Sequence, residues 1–154
     1  MTPVLLLAGD GIGPEVTAAA RAVLEAVRPG LEFTERPVGL AAIHAVGAPY
    51  ESDLIEIARE HDAVLFGAVG GSTHADGGQR PEAALFALRK ELDLYANVRP
   101  IRAGALAARS PLREELVDGT DFLLVRELTG GLYFGEKQLS ADAALDTCGY
   151  SRAQ

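Results

Sequence analysis

Cysteine is almost missing from this chain of 154 residues, with Cys148 the single example. One thiol excludes an internal disulfide framework and any multi-cysteine metal site, and Cys148 reads as an ordinary unpaired thiol. Long apolar runs are missing too, since none approaches the roughly 20 residues that a membrane span needs. Met1, Thr2 and Pro3 lead straight into a short strand without a basic leader, so the expected location is cytoplasmic. Positive charge is scarce: 14 Lys and Arg stand against 22 Asp and Glu, a net charge of -8. That balance argues against nonspecific binding to nucleic acid or to an anionic membrane, because both need basic surface.

Lysine is the scarcer of the two bases, represented by Lys90 and Lys137 alone, and 8 of the 14 basic residues lie between Arg80 and Arg126. Arginine is favoured where a planar carboxylate or phosphate is gripped by two parallel hydrogen bonds. An acidic chain with an arginine-rich middle therefore points to a small anionic ligand in a pocket, although an arginine-biased genome produces the same imbalance. The length suits about one domain, and 48% hydrophobic content is enough for a core.

Val4 to Ala8 is a continuous apolar run, which suits a strand buried on both faces of a parallel sheet. The turn Gly9-Asp10-Gly11-Ile12-Gly13-Pro14-Glu15 follows, with Pro14 suited to a first helical position and Glu15 to the positive end of a helix dipole. A helix is predicted over 14–27 with Val16, Ala19, Ala20, Val23, Leu24 and Val27 on its apolar side. The glycines run G-x-G-x-G before proline, which departs from the G-x-G-x-x-G of a Rossmann turn. A second strand is expected over 31–38, short helices over 41–46 and 51–59, and another buried strand over 62–69. This alternation indicates an α/β layered architecture.

The glycine-rich polar loop from Gly70 to Arg80 stands at the carboxyl end of that strand, where open α/β sheets bind ligands, and His74 within it reads as solvated. Pro81 opens a helix over 82–93. There Arg89 follows Leu85 by four residues and Phe86 by three, so a cation and an apolar surface share one face. A ligand with a carboxylate and a greasy branch would suit them. Asn97-Val98-Arg99-Pro100 marks an expected change of direction, Ile101 to Pro111 a connecting segment, and 112–117 a short helix. Phe122 to Val125 reads as an apolar strand ending in a buried Arg126, which at such a place needs an anion to meet. That anion is either a substrate carboxylate or Glu127 beside it in a structural pair. Gly130-Gly131 reads as a hinge leading to Tyr133.

Five motifs stand here in order: Gly9 to Glu15, Gly70-Gly71, Leu88-Arg89-Lys90, Asn97-Val98-Arg99-Pro100, and Val125 to Gly131 followed by Tyr133-Phe134-Gly135. Together they resemble the decarboxylating β-hydroxyacid dehydrogenases, the isocitrate/isopropylmalate dehydrogenase family, over the whole chain. The resemblance implies an isopropylmalate-dehydrogenase-like bilobal α/β fold that is not Rossmann, in a homodimer with the active site between lobes. On this basis residues 1–94 form the N-terminal part of the first lobe, and 95–154 begin the second and include an arm segment.

The resemblance also implies oxidation of a C2 hydroxyl by NAD and loss of the β-carboxylate with help from Mg2+ or Mn2+. Arg89, Arg99 and Arg126 would hold the malate carboxylates, and Tyr133 would protonate the enol. A phenol, with an ordinary pKa of about 10, can donate a proton at neutral pH. Glu82 would meet the nicotinamide ribose and Leu85 the substrate's branch. Ile12, Gly71, Ser72, Thr73, His74 and Glu82 would line the cofactor site. Leu85 favours isopropylmalate over isocitrate, whose third carboxylate would be left unpaired there.

The lysine base, the metal-binding aspartates and the adenosine loop of the family have no counterpart in these residues. No metal ligand is therefore expected within the chain, which reads as a truncated form inactive by itself. Asp142 and Asp146 have i,i+4 spacing but read as solvated charges in the arm segment. The competing readings are a sister enzyme acting on isocitrate, homoisocitrate or tartrate, and a non-catalytic fragment that needs a complementary chain.

Overall fold

The structure is a computed structural model that describes residues 1–71, 78–152 and 154, with residues 105 and 106 described for their backbone only. It separates into two compact units, Met1–Leu92 and Asp93–Gln154.

In the first unit, β1 (Thr2–Gly9), β2 (Leu31–Glu35) and β3 (Ala63–Ala68) form a parallel sheet in the order β2-β1-β3. The run Val4 to Leu7 occupies the central strand and is buried throughout, as expected of a strand covered on both faces. Leu5 and Leu7 join Val38, Leu54, Ala58, Ala84 and Leu88 in the core, so β1 packs against α3 (Leu54–Glu60) and α4 (Ala83–Glu91). The expected buried strand over 62–69 is an edge strand instead, and β3 is only half-covered. The short helix α2 (Leu40–Val46) ends at Gly47, whose φ of 73° supplies the left-handed cap.

The first helix, α1 (Gly13–Val27), turns only part of its expected apolar face inward, Ala20 and Leu24 being half-buried. Its buried positions are Gly13 and Thr17, whereas Val16, Val23 and Val27 are 46%, 61% and 72% exposed. Close approach decides this. A Cβ on Gly13 would overlap the Ala8 carbonyl, and one on Gly67 would come within 2.9 Å of the Thr17 methyl. Small residues therefore make the helix-sheet contact, the Thr17 hydroxyl satisfies itself by donating to the Gly13 carbonyl at 2.7 Å, and the branched valines face outward.

In the second unit, β4 (Ala96–Arg102) pairs antiparallel with β5 (Asp121–Glu127). Asn97 to Pro100 does not turn, and Pro100 sits in the ladder opposite Leu123. Proline drives its predecessor into extended geometry, which is already strand geometry, and a two-stranded ladder has open edges that need no N–H. The connecting segment expected over 101–111 is likewise structured, by the end of β4 and a 3-10 helix, Gly104–Arg109; α5 (Glu114–Val117) follows. Phe122 to Val125 lie on the expected strand but are exposed, and Arg126, expected to be buried, is half-buried. Among the described residues β5 pairs with β4 alone.

The chain closes with a hairpin of β6 (Lys137–Leu139) and β7 (Ala144–Asp146). Asp146 therefore lies on a strand, 3.5 Å from Lys137, and shares no helix face with Asp142.

Gly13→Ala should destabilise the protein by roughly 3 kcal/mol through overpacking, and Val23→Ala should change stability by less than about 0.5 kcal/mol. Urea unfolding checks both, and the reverse ranking would contradict the helix orientation.

Candidate functional site

In the first unit the candidate residues gather at the carboxyl ends of β1 and β3. Asp10, 8% exposed, is the organiser there. Its Oδ2 accepts from the Leu40 and Gly70 amides at 2.9 and 3.2 Å, and Oδ1 accepts from the Ala41 amide at 3.1 Å. One carboxylate thus caps α2 and fixes the start of the glycine-rich loop. Asp10 lies within the first glycine motif, and its role emerges only from these contacts. A carboxylate set between glycines right after a buried strand, where backbone donors converge, was the signal.

Ile12, 66% exposed, begins α1 beside this cluster, and Gly71 runs so close to Leu40 that a Cβ would overlap it. The Glu82 carboxylate comes to 3.5 Å from where a Gly70 Cβ would stand. Ser72, Thr73 and His74 lie outside the described residues. On α4, Ala84 and Leu88 face the core, leaving Glu82, Leu85, Phe86 and Arg89 on a second stripe. The Arg89 guanidinium stands 6.0 Å from the centre of the Phe86 ring, so cation and apolar surface do share a face.

In the second unit the antiparallel register places Asn97 opposite Arg126 and Arg99 opposite Leu124. Directly paired residues point to the same side, so Asn97, Arg99, Leu124 and Arg126 share one face, the two arginines as diagonal neighbours roughly 7–8 Å apart. Arg99 Nε donates to Asn97 Oδ1 at 2.8 Å, which turns it along this face. Arg126 Nη2 donates to the Tyr133 hydroxyl, and its guanidinium lies 5.2 Å from that ring's centre. The short 3-10 helix Gly131–Tyr133 brings the phenol back to the strand end. Arg99, Arg126 and Tyr133 are thereby gathered in one unit, while Arg89 belongs to the other.

Arg126 and Glu127 do not form the structural pair left open by the sequence. Glu127 Oε1 accepts from the Thr129 hydroxyl at 2.7 Å and from the Thr129 amide, and Oε2 accepts from the Gly130 amide at 3.1 Å. These donors, the Thr129 hydroxyl foremost, hold the Glu127 carboxyl below its ordinary range. No carboxylate pairs with Arg126 among the described residues. Two guanidinium groups and a phenol on one face can grip a carboxylate and present a proton next to it. Among the described residues, no group of three or more His, Cys, Asp or Glu could hold a metal ion.

Comparison with known proteins gives consistent relatives. The family model for isocitrate/isopropylmalate dehydrogenases matches residues 3–154. The 3-isopropylmalate dehydrogenase of Streptococcus thermophilus is 46% identical over 96% of this chain and 44% of its own length. That of Moorella thermoacetica is 51% identical over 100% of this chain and 46% of its own. A crystal structure of isocitrate dehydrogenase from Methylococcus capsulatus superposes with a TM-score of 0.77 at 28% identity, over 99% of this chain and 44% of that one. The chain spans less than half the length of these relatives.

Because the folded Glu127 carboxyl sits below its unfolded value, its stabilisation is complete above the unfolded pKa and lost as pH falls through the folded one. The hydrogen-bonded NMR shifts of the Thr129 and Gly130 amides should therefore survive acidification through 4.5 and collapse only below it. A transition at or above that pH would contradict the turn.

Proposed function

The chain belongs to the isocitrate/isopropylmalate dehydrogenase family, and from that premise we propose that the protein carrying it oxidatively decarboxylates 3-isopropylmalate to 4-methyl-2-oxopentanoate, a step of leucine biosynthesis. The observation that carries this reading is the shared face of Arg99 and Arg126 with the Tyr133 hydroxyl held at its end. From the second unit, Arg99 and Arg126 bind malate carboxylate, and Arg89 on α4 of the first unit is likewise read as a carboxylate-binding residue. Leu85, half-buried one turn before Arg89, receives the isopropyl branch.

Bound NAD would supply the hydride acceptor for C2, and the C2 hydroxyl proton would pass to a base that the described residues do not supply. The residues present fit one part of that cofactor: a backbone turn pinned by Asp10 at Gly70, with the Glu82 carboxylate beside it as an acceptor for a ribose hydroxyl. The new ketone activates the β-carboxylate, whose C–C bond breaks to give CO2 and an enolate, the electron pair being held by the ketone oxygen. Tyr133 then delivers its phenolic proton to C3, next to the guanidinium that steadies the resulting phenolate. Mg2+ or Mn2+ would need ligands that the described residues do not supply, so no step is assigned to it. The proposed working form is a cytoplasmic homodimer, with residues 1–94 and 95–154 in separate lobes.

A sister activity on isocitrate is the alternative, and Leu85 separates the two, since an apolar wall leaves a third carboxylate unpaired. In the full-length enzyme, Arg126→Gln should lower kcat/KM for isopropylmalate roughly 10- to 100-fold. Leu85→Ser should harm isopropylmalate turnover, and a variant that gained isocitrate activity without that loss would overturn the pocket assignment. The 154 residues alone should form no NADH from isopropylmalate and Mg2+.

A further inference from the structure

The turn that carries Tyr133 begins with two successive glycines, and only one of them needs to be glycine for its backbone. Gly131 has a φ of 60°, in the left-handed region. Gly130, with φ of -133° and ψ of -161°, is extended in a way any residue adopts. Space is what Gly130 provides. A Cβ there would stand 2.8 and 2.9 Å from two ring carbons of Tyr150, and a Cβ on Gly131 would overlap the Tyr150 hydroxyl. The ring of Tyr150 therefore lies directly on the Gly130-Gly131 backbone.

The segment around Tyr150 is tied to the same turn at both ends. The Gly131 amide donates to the Gly149 carbonyl at 3.1 Å, and Gln154 Nε2 donates to the Thr129 carbonyl at 3.0 Å. Further back, the Thr147 amide and hydroxyl both donate to the Glu136 carbonyl, at 3.1 and 3.0 Å. Residues 147–152, together with the Gln154 side chain, thus form a strap over the stretch whose middle is Tyr133.

We propose that Tyr150 is a positioning residue for the reaction, its ring pressing on Gly130-Gly131 to set the turn at the height that puts the Tyr133 hydroxyl on Arg126. This rests on the reading of Tyr133 as the proton donor. Tyr150 itself is not the donor: among the described residues Arg126 meets the Tyr133 hydroxyl and ring, and no hydrogen bond or ring contact joins it to Tyr150. The residue works through its ring, so the hydroxyl is dispensable.

The test is a double-mutant cycle in the full-length enzyme, reading kcat, KM for isopropylmalate and the solvent isotope effect on kcat. Tyr150→Ala should lower kcat roughly tenfold, leave KM within about twofold, and raise the isotope effect as proton delivery becomes slower. Tyr150→Phe should keep the parent kcat. Gly130→Ala should be impaired with Tyr150 present, and the double variant should be no worse than Tyr150→Ala, because the methyl then enters vacated space. Losses that multiply in the double variant, a Tyr150→Ala enzyme with the parent kcat, or a Tyr150→Phe enzyme as poor as Tyr150→Ala would each overturn the proposal. Tyr133→Phe separates the two levels. If it keeps full turnover, the proton-donor reading falls and this proposal with it; if it is impaired while Tyr150→Ala is not, only the positioning role falls.

Discussion

The Glu127 carboxylate decides what the adjacent arginine can do. Arg126 and Glu127 are neighbours of opposite charge, but successive strand residues point to opposite sides, and Glu127 is engaged by the backbone and hydroxyl of the turn that follows. The turn is thereby stabilised and the guanidinium is left without a carboxylate among the described residues, next to a phenol that cannot neutralise it. Had Glu127 paired with Arg126, the site would have lost both its cation and the turn that returns Tyr133 to it.

The first unit uses the same device. Asp10 binds three backbone amides, from Leu40, Ala41 and Gly70, and so joins the turn after β1, the start of α2 and the loop after β3. In each unit a carboxylate beside glycines holds the backbone at a strand end. Charge-assisted hydrogen bonds of this kind are about twice as strong as neutral ones, which suits segments that have little apolar packing of their own.

Much of this was legible in the residues, and the failures share a cause. The apolar run of β1 identified a doubly covered central strand, Gly47 marked the end of α2, and five ordered motifs identified the family. Hydrophobicity alone does not orient α1, because the helix approaches its sheet through Gly13 and Thr17, with Ala20 and Leu24 half-buried along the same stripe. Pro100 was read as a breaker, although a two-stranded ladder accommodates it. Arg126 is half-buried although an apolar run precedes it, because burial depends on a neighbouring layer that composition does not reveal. For the site, the sequence placed Arg126 and Tyr133 in one stretch, but the alignment of Arg99 with them needed the strand register. The role of Asp10 needed three donors brought together from distant positions.

The most direct test of the account is the 13Cζ resonance of Tyr133 in tyrosine-labelled full-length enzyme, assigned with Tyr133→Phe and followed as 3-isopropylmalate is added. The account predicts a saturable shift of Tyr133 that disappears in Arg126→Gln, while Tyr50 in the first unit stays unmoved. A Tyr133 resonance that does not move at substrate concentrations supporting turnover would contradict it.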